Sequence, residues 1–388
     1  MGAFPVLSSN PSGESFVFSV KPLTVFTTIC LVAAMMACGG GGAAVTRNLV
    51  VSRVAWQKIS VPSVATQLNY LAFNSSNHWF IADRSHGFYR STDQGATWTQ
   101  INSGLRTTLG WTIQVDPANG DLIASTFSGS ALNLHPVTFY RSTNEGGGWS
   151  VIPTGHLSAA AAETGCVFPA STTVVCGGFW APSPSSGAWV STNVGQTTIS
   201  VSSAAVIGSS VYSLGVNPVV GDLWMGTEQL GIFRSTNNGL TWMEESPRDV
   251  QIDPANGIRD GNIYGMTFDR NGNVLFGSQG GIWKSSKTGS GYTWTNVLKN
   301  ANTSAGKGMG RDANGNLYYG HNSDPTNPTV VYCSTDDGNT WSACDSGIPP
   351  FLQGHEVVVN HADGKLYAVT EDEAAKTGTL YRTVNPVQ

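Results

Sequence analysis

The sequence predicts an all-β fold: a seven-bladed β-propeller with four antiparallel strands per blade, its last blade closed by strands from both ends of the chain. Three observations lead there. One phrase recurs down the chain at a nearly fixed interval. Each interval reads as four short strands joined by tight turns. The last copy of the phrase breaks off where a segment near residue 56 would complete it.

The phrase is Ser-Thr-Asn/Asp-x-Gly-x-Thr-Trp, usually preceded by an aromatic and a basic residue. Copies start at Ser91, Ser142, Ser191, Ser235, Ser285 and Ser334, with a truncated seventh at Thr383. The spacings are 51, 49, 44, 50, 49 and 49 residues, a period that marks units stacked against their neighbours. Between Tyr264 and Trp294 a single unit reads IYGMTFD, a turn at RNGN, then VLFGS, GIWKSS, the repeated phrase and TWTNVL. Asn/Asp-Gly pairs between β-rich runs signal hairpins, because glycine accepts the positive φ that such turns need. The first turn recurs as DPANGD at Asp116, NPVVGD at Asn217, DANGN at Asp312 and HADGK at His361. Four strands per unit without helical periodicity indicate propeller blades.

The chain ends on LYRTVNPVQ, a third strand with half a phrase and no fourth strand. Ala55–Val61 (AWQKISV) resembles the fourth strands TWTQINS and TWTNVLK. Sharing the last blade between the two segments removes open sheet edges from the ring. The propeller is therefore expected over residues 53–388.

The phrase resembles the Asp-box, or bacterial neuraminidase repeat, of a family of propellers, and the likeness covers nearly the whole chain after the N-terminal segment. The resemblance places the box in the turn between third and fourth strands, with its acid or amide holding turn amides, its glycine in a special backbone conformation and its tryptophan packed inward. The structural box residues are then Asp93, Trp98, Asn144, Trp149, Asn237, Trp242, Trp294, Asp336 and Trp341. There are departures: only Asp93 and Asp336 are true aspartates, Lys287 stands at the position in an expanded fifth box, and Thr198 replaces tryptophan in the third.

Charged residues make up 12% of the chain, about half the ~25% of an ordinary soluble protein. The net charge is −5 without a basic cluster, which excludes nucleic acid as an expected partner. Residues 1–44 read as an export segment with a Gly-rich linker: Lys21 precedes the apolar run Leu23–Ala37, followed by Cys38 and four glycines. The run is short for a membrane span and suits a signal segment. Its Met-Ala-Cys ending resembles a bacterial lipoprotein box, which implies lipidation of Cys38 and a membrane association through that anchor only. Cleavage near Ala44 is the alternative. An exported address, in the bacterial envelope or outside the cell, follows from either.

The remaining cysteines agree with export. Cys166 and Cys176 flank one turn, and Cys333 and Cys344 flank the sixth box, so two disulfides are expected rather than a metal site. No metal-ligand spacing is present and no cofactor is expected.

Function is expected on the rim opposite the boxes, where the loops vary most in length. The candidates are Trp111 and Tyr264 at the start of innermost strands, Trp180 on a Pro/Ser-rich loop, Arg248 and Arg259 in the connection after blade four, and His321 in GHNSDPTNPT. As acids or bases, His355, Glu356, Asp260 and Glu228 stand out without any spacing rule that selects a pair. The segment EDEAAK at Glu371 reads as a solvated loop.

Three functions are compatible with this. The first is a monomeric, non-catalytic scaffold that binds a protein or carbohydrate. That is what the resemblance to the single-propeller relatives of the photosystem II stability and assembly factor implies. The second is a glycoside hydrolase; but sialidases of the Asp-box type have six blades and an Arg-Ile-Pro segment that this chain lacks, and xyloglucanase-type enzymes use two propellers. The third is a lectin relying on Trp180 and rim tyrosines. The scaffold is favoured, because no catalytic constellation emerges.

Overall fold

The structure, a computed structural model, describes residues 54–128, 137–153, 165–178, 188–193, 195–201, 210–228, 230–245, 262–278, 280–289, 291–299, 308–372 and 374–387. Seven antiparallel sheets of four strands follow one another. Blade 1 holds Leu68–Phe73, Trp79–Asp83, Gly87–Ser91 and Thr99–Gln100; blade 2 holds Gly110–Val115, Leu122–Phe127, Val137–Ser142 and Ser150–Val151. Blades 3 to 6 begin at Cys166–Ala170, Val211–Val216, Met266–Phe268 and Met309–Arg311 and continue in the same order. Blade 7 is built from Gln353–Asn360, Lys365–Asp372, Thr377–Thr383 and, as its outermost strand, Trp56–Ile59. The expected closure is thus formed, in the register Trp56↔Thr383 to Ile59↔Leu380.

Seven apolar clusters hold the ring, one between each pair of neighbouring blades. Phe80 and Phe88 of blade 1, for example, meet Leu122 and Tyr140 of blade 2. This explains why the second strands read as unbroken apolar runs rather than alternating ones. Trp79–Asp83, Leu223–Thr227 and Val274–Ser278 are buried along their whole length, because each sheet has a neighbour on both faces.

The repeated turns share one hydrogen-bond pattern. The Ser91 hydroxyl donates to Asp93 Oδ1 (2.8 Å) and accepts the Gly95 N–H (2.8 Å), while Asp93 Oδ1 accepts the Thr97 N–H (2.8 Å). The same pattern forms at Ser142–Asn144, Ser191–Asn193, Ser235–Asn237 and Ser334–Asp336. Asparagine serves as well as aspartate because the turn needs only one acceptor oxygen. The second atom adapts: Asp93 Oδ2 accepts the Thr97 hydroxyl, whereas Asn237 Nδ2 donates to Thr241. Gln94 and Gly95 both have positive φ, at 58° and 86°. A Cβ on Gly95 would sit 2.7 Å from the Trp79 ring, so both conformation and space call for glycine.

The tryptophan of the box reaches across to the preceding blade. Trp98 Nε1 donates to the Ser60 carbonyl and Trp149 Nε1 to that of Ile101, each just past the outermost strand next door. Where the third box carries Thr198, its hydroxyl makes the equivalent bond to the Pro153 carbonyl at 2.6 Å. In blade 7 the box is assembled from both ends of the chain. Gln57 pairs with Arg382 as Thr99 pairs with Arg90, so Trp56 stands where Trp98 stands, and its Nε1 donates to the Cys344 carbonyl at 2.7 Å.

The fifth copy differs from the sequence expectation. Gly281–Thr288 and Gly291–Lys299 form one ladder out to Thr288↔Gly291, and Lys287 pairs with Tyr292 within it. Two extra residues let the strands continue, and lysine offers no acceptor to hold turn amides. Trp294 pairs with Ser285 in that extended hairpin.

Both disulfides form, Cys166–Cys176 across the first hairpin of blade 3 and Cys333–Cys344 between the third and fourth strands of blade 6. The second one fixes the carbonyl that receives Trp56. Replacing Cys333 and Cys344 by serine is expected to lower stability by about 2–3 kcal/mol, read as a fall in the thermal midpoint that reductant reproduces in the unaltered chain.

Candidate functional site

Antiparallel order gives the ring two unlike faces. The turns between first and second strands lie with the box turns on one face, and the loops between second and third strands lie with the blade connections on the other, the loop face. Every sequence candidate among the described residues falls at or near the loop face: Trp111, Glu228, Tyr264, His321, His355 and Glu356. Cys38, Trp180, Arg248, Arg259 and Asp260 lie outside the described residues.

The structure brings some of these together with residues the sequence did not single out. His355, 4% exposed, is the third residue of the innermost strand of blade 7. Its Nε2 lies 2.8 Å from Oε2 of Glu371, at the end of the second strand of the same blade. The same carboxylate is 3.4 Å from Nη1 of Arg84, in the loop after the second strand of blade 1. The Arg84 guanidinium also donates to Asn69 Oδ1 and lies over the Trp111 ring, 4.9 Å from its centroid. Asn69 Nδ2 donates to the Trp111 carbonyl in turn. One chain of contacts thus links blades 7, 1 and 2 around the channel mouth.

Glu371 is therefore not the solvated loop residue its sequence suggests. It is 6% exposed, and the His355 imidazole, with Arg84 beyond, holds its carboxyl down to about 2. A carboxylate kept ionised this firmly is a fixed charge and not a proton donor at ordinary pH. Arg84 was legible only as a charge in the loop DRSHG; nothing local says that it crosses to the neighbouring blade.

Glu356 projects elsewhere. Its Oε2 accepts the Leu71 N–H at 2.8 Å, and it lines the channel with Tyr70, Gln114 and Tyr212. Glu228 accepts the Ser210 hydroxyl at 2.6 Å in blade 4. Glu356 and Glu228 thus hold different partners in different blades. Tyr264 and Tyr212 form a ring pair 5.1 Å apart. His321 is fully buried: Nδ1 sits 2.6 Å from the Thr329 carbonyl, the ring meets Tyr332 edge-on, and burial pushes its pKa down. It organises its own loop. A further residue that went unremarked is Phe351, 57% exposed with φ at 67°, after Pro349-Pro350 on the connection into blade 7. An exposed aromatic in a left-handed conformation is a costly arrangement. No group of histidines, cysteines and acids suited to a metal ion occurs among the described residues.

Comparison with solved structures agrees with this architecture. Virginiamycin B lyase from Staphylococcus aureus superposes with a TM-score of 0.61 at 13% identity, covering 86% of this chain and 100% of that one. The fold is a β-propeller. YCF48 bound to a D1 peptide gives 0.59 at 13% identity, over 86% of this chain and 96% of that one. The extracellular domain of a hybrid two-component system from B. thetaiotaomicron gives 0.58 at 13%, and there this propeller spans only 40% of the other chain's length. At such identities the likeness is one of fold. No protein-family model matches the chain, and no curated protein matches it.

Proposed function

We propose that this propeller is an exported, non-catalytic binding or assembly scaffold that engages a protein or glycan partner with its loop face. The observation that carries the reading is the state of the channel-mouth acid. Glu371 is tied to His355 and Arg84 and stays ionised, which suits a fixed recognition surface rather than acid–base work. Toward the same face, Trp111 and the Tyr212–Tyr264 pair offer half-buried aromatic surface, and Phe351 is exposed there. Aromatics of this kind anchor both peptides and sugars. YCF48, similar in fold, is bound to a D1 peptide, which supports a protein partner.

The two disulfides support an oxidising, exported setting. The repeated turn chemistry supports assignment to the Asp-box propellers. On this reading residues 1–44 are the export segment, Cys38 carries a lipid anchor, and the chain acts as a monomer. The test is binding of the full chain to a glycan panel and an extended-peptide library, with Trp111→Ala and Phe351→Ser alongside. Saturable binding that these changes weaken by about tenfold, with no sugar released, is the expected result. Sugar release abolished by Glu356→Gln would overturn the reading in favour of a glycoside hydrolase.

A further inference from the structure

The opposite end of the central channel opens into a cavity of about 760 Å³. Its walls come from the innermost strands of blades 1, 2, 3, 4 and 7, and its mouth from the first turns of blades 1, 2 and 7. None of the channel-mouth cluster on the loop face takes part. Phe73, Val115, Val167, Phe168, Val216 and Val358 line it, and each is only partly buried. Apolar side chains from five blades thus turn toward a common space that is open among the described residues.

The polar groups at the mouth are already committed. Asn74 Oδ1 accepts the Ser76 and His78 amides, Asp116 Oδ1 the Ala118 amide and Asn360 Oδ1 the Ala362 amide. Deeper in, Gln114 Oε1 accepts the Cys166 N–H. Asp116 is the one acidic lining residue and is 2% exposed, and His361 stands at the mouth; no lysine or arginine lines the cavity among the described residues. A charged ligand would meet only the buried, hydrogen-bonded Asp116 and the His361 side chain at the mouth, and would lose its hydration on entry. A neutral apolar one displaces water from apolar walls, which is favourable. The volume lies within the roughly 300–1,000 Å³ of small-molecule sites.

We propose that this end of the channel is a binding site for a neutral, lipophilic small molecule. It is separate from the loop face and does not depend on what that face binds.

The experiment is a fluorescence titration of the full chain with N-phenyl-1-naphthylamine, a neutral apolar dye that brightens out of water. Val358→Phe and Val216→Phe fill the cavity from opposite blades, and Trp111→Ala removes a side chain near the loop face that does not line the cavity. The apolar segment Leu23–Ala37 also attracts such a dye, so the signal that counts is the saturable part that the cavity variants change. The expected result is saturable binding, weakened about tenfold or more by each cavity variant that keeps the all-β circular dichroism spectrum, and unchanged by Trp111→Ala. The absence of saturable binding, or binding indifferent to the cavity variants, overturns the proposal. Two filling variants keep the test decisive if one of them fails to fold.

Discussion

Replacing Trp56 by alanine is expected to cost about 3–5 kcal/mol, the range for deleting a large buried aromatic, and to be among the most damaging single changes in the ring. The indole is 5% exposed, packs in the cluster between blades 6 and 7, and donates to the Cys344 carbonyl. Its strand is also the only outermost strand supplied from the other end of the chain. Loss of Trp56 thus weakens a blade–blade contact and the fastening of the ring together. The control is Trp98→Ala, which occupies the same place in blade 1 but is only half-buried. Urea denaturation of both variants beside the unaltered chain gives the comparison. Equal losses would contradict a special role for the closing blade.

Glu371→Gln is the second large effect. The folded carboxyl titrates at about 2 against an ordinary 4.5. A group depressed in this way contributes stability that is fully present above pH 4.5 and is lost as the pH falls toward 2. The shift corresponds to about 3 kcal/mol at neutral pH, and the amide also leaves Arg84 without its counter-charge. The unaltered chain is therefore expected to lose stability on acidification through this window. The Glu371→Gln variant begins lower at pH 7, and its profile there is flatter. Chemical denaturation at pH 7, 5, 4 and 3 reads both features, and parallel profiles would exclude Glu371 as the source of the acid sensitivity.

Blade number, strand order and closure could be read in the sequence because they repeat. Each box announces a turn through local chemistry that asparagine and aspartate satisfy alike, and the unfinished last copy points to the strand at Trp56. The cysteine pairs were equally legible, since each flanks a single hairpin. The channel-mouth cluster was not. Glu371, Arg84 and Trp111 belong to three blades, at loop and strand ends with no shared motif, and only the angular spacing of blades brings them together. His355 and Trp111 were singled out as types, but nothing along the chain pairs them with Glu371 and Arg84. The apolar cavity escaped for a related reason. Valines on innermost strands look the same whether they pack against a neighbour or face an open channel.

The pairing of Trp56 with Thr383 also sets an order of events during synthesis. Blades 1 to 6 are contiguous in the chain and can form as they emerge, since their strand pairings are local. The strand at Trp56 emerges before all of them and then has no partner until the last strand follows, roughly tens of seconds later at ordinary translation rates. Throughout that interval the nascent chain carries an unpaired strand ahead of the first blade. Any factor that assists folding would meet an open ring until Thr377–Thr383 has been made, so ring closure waits on the last blade.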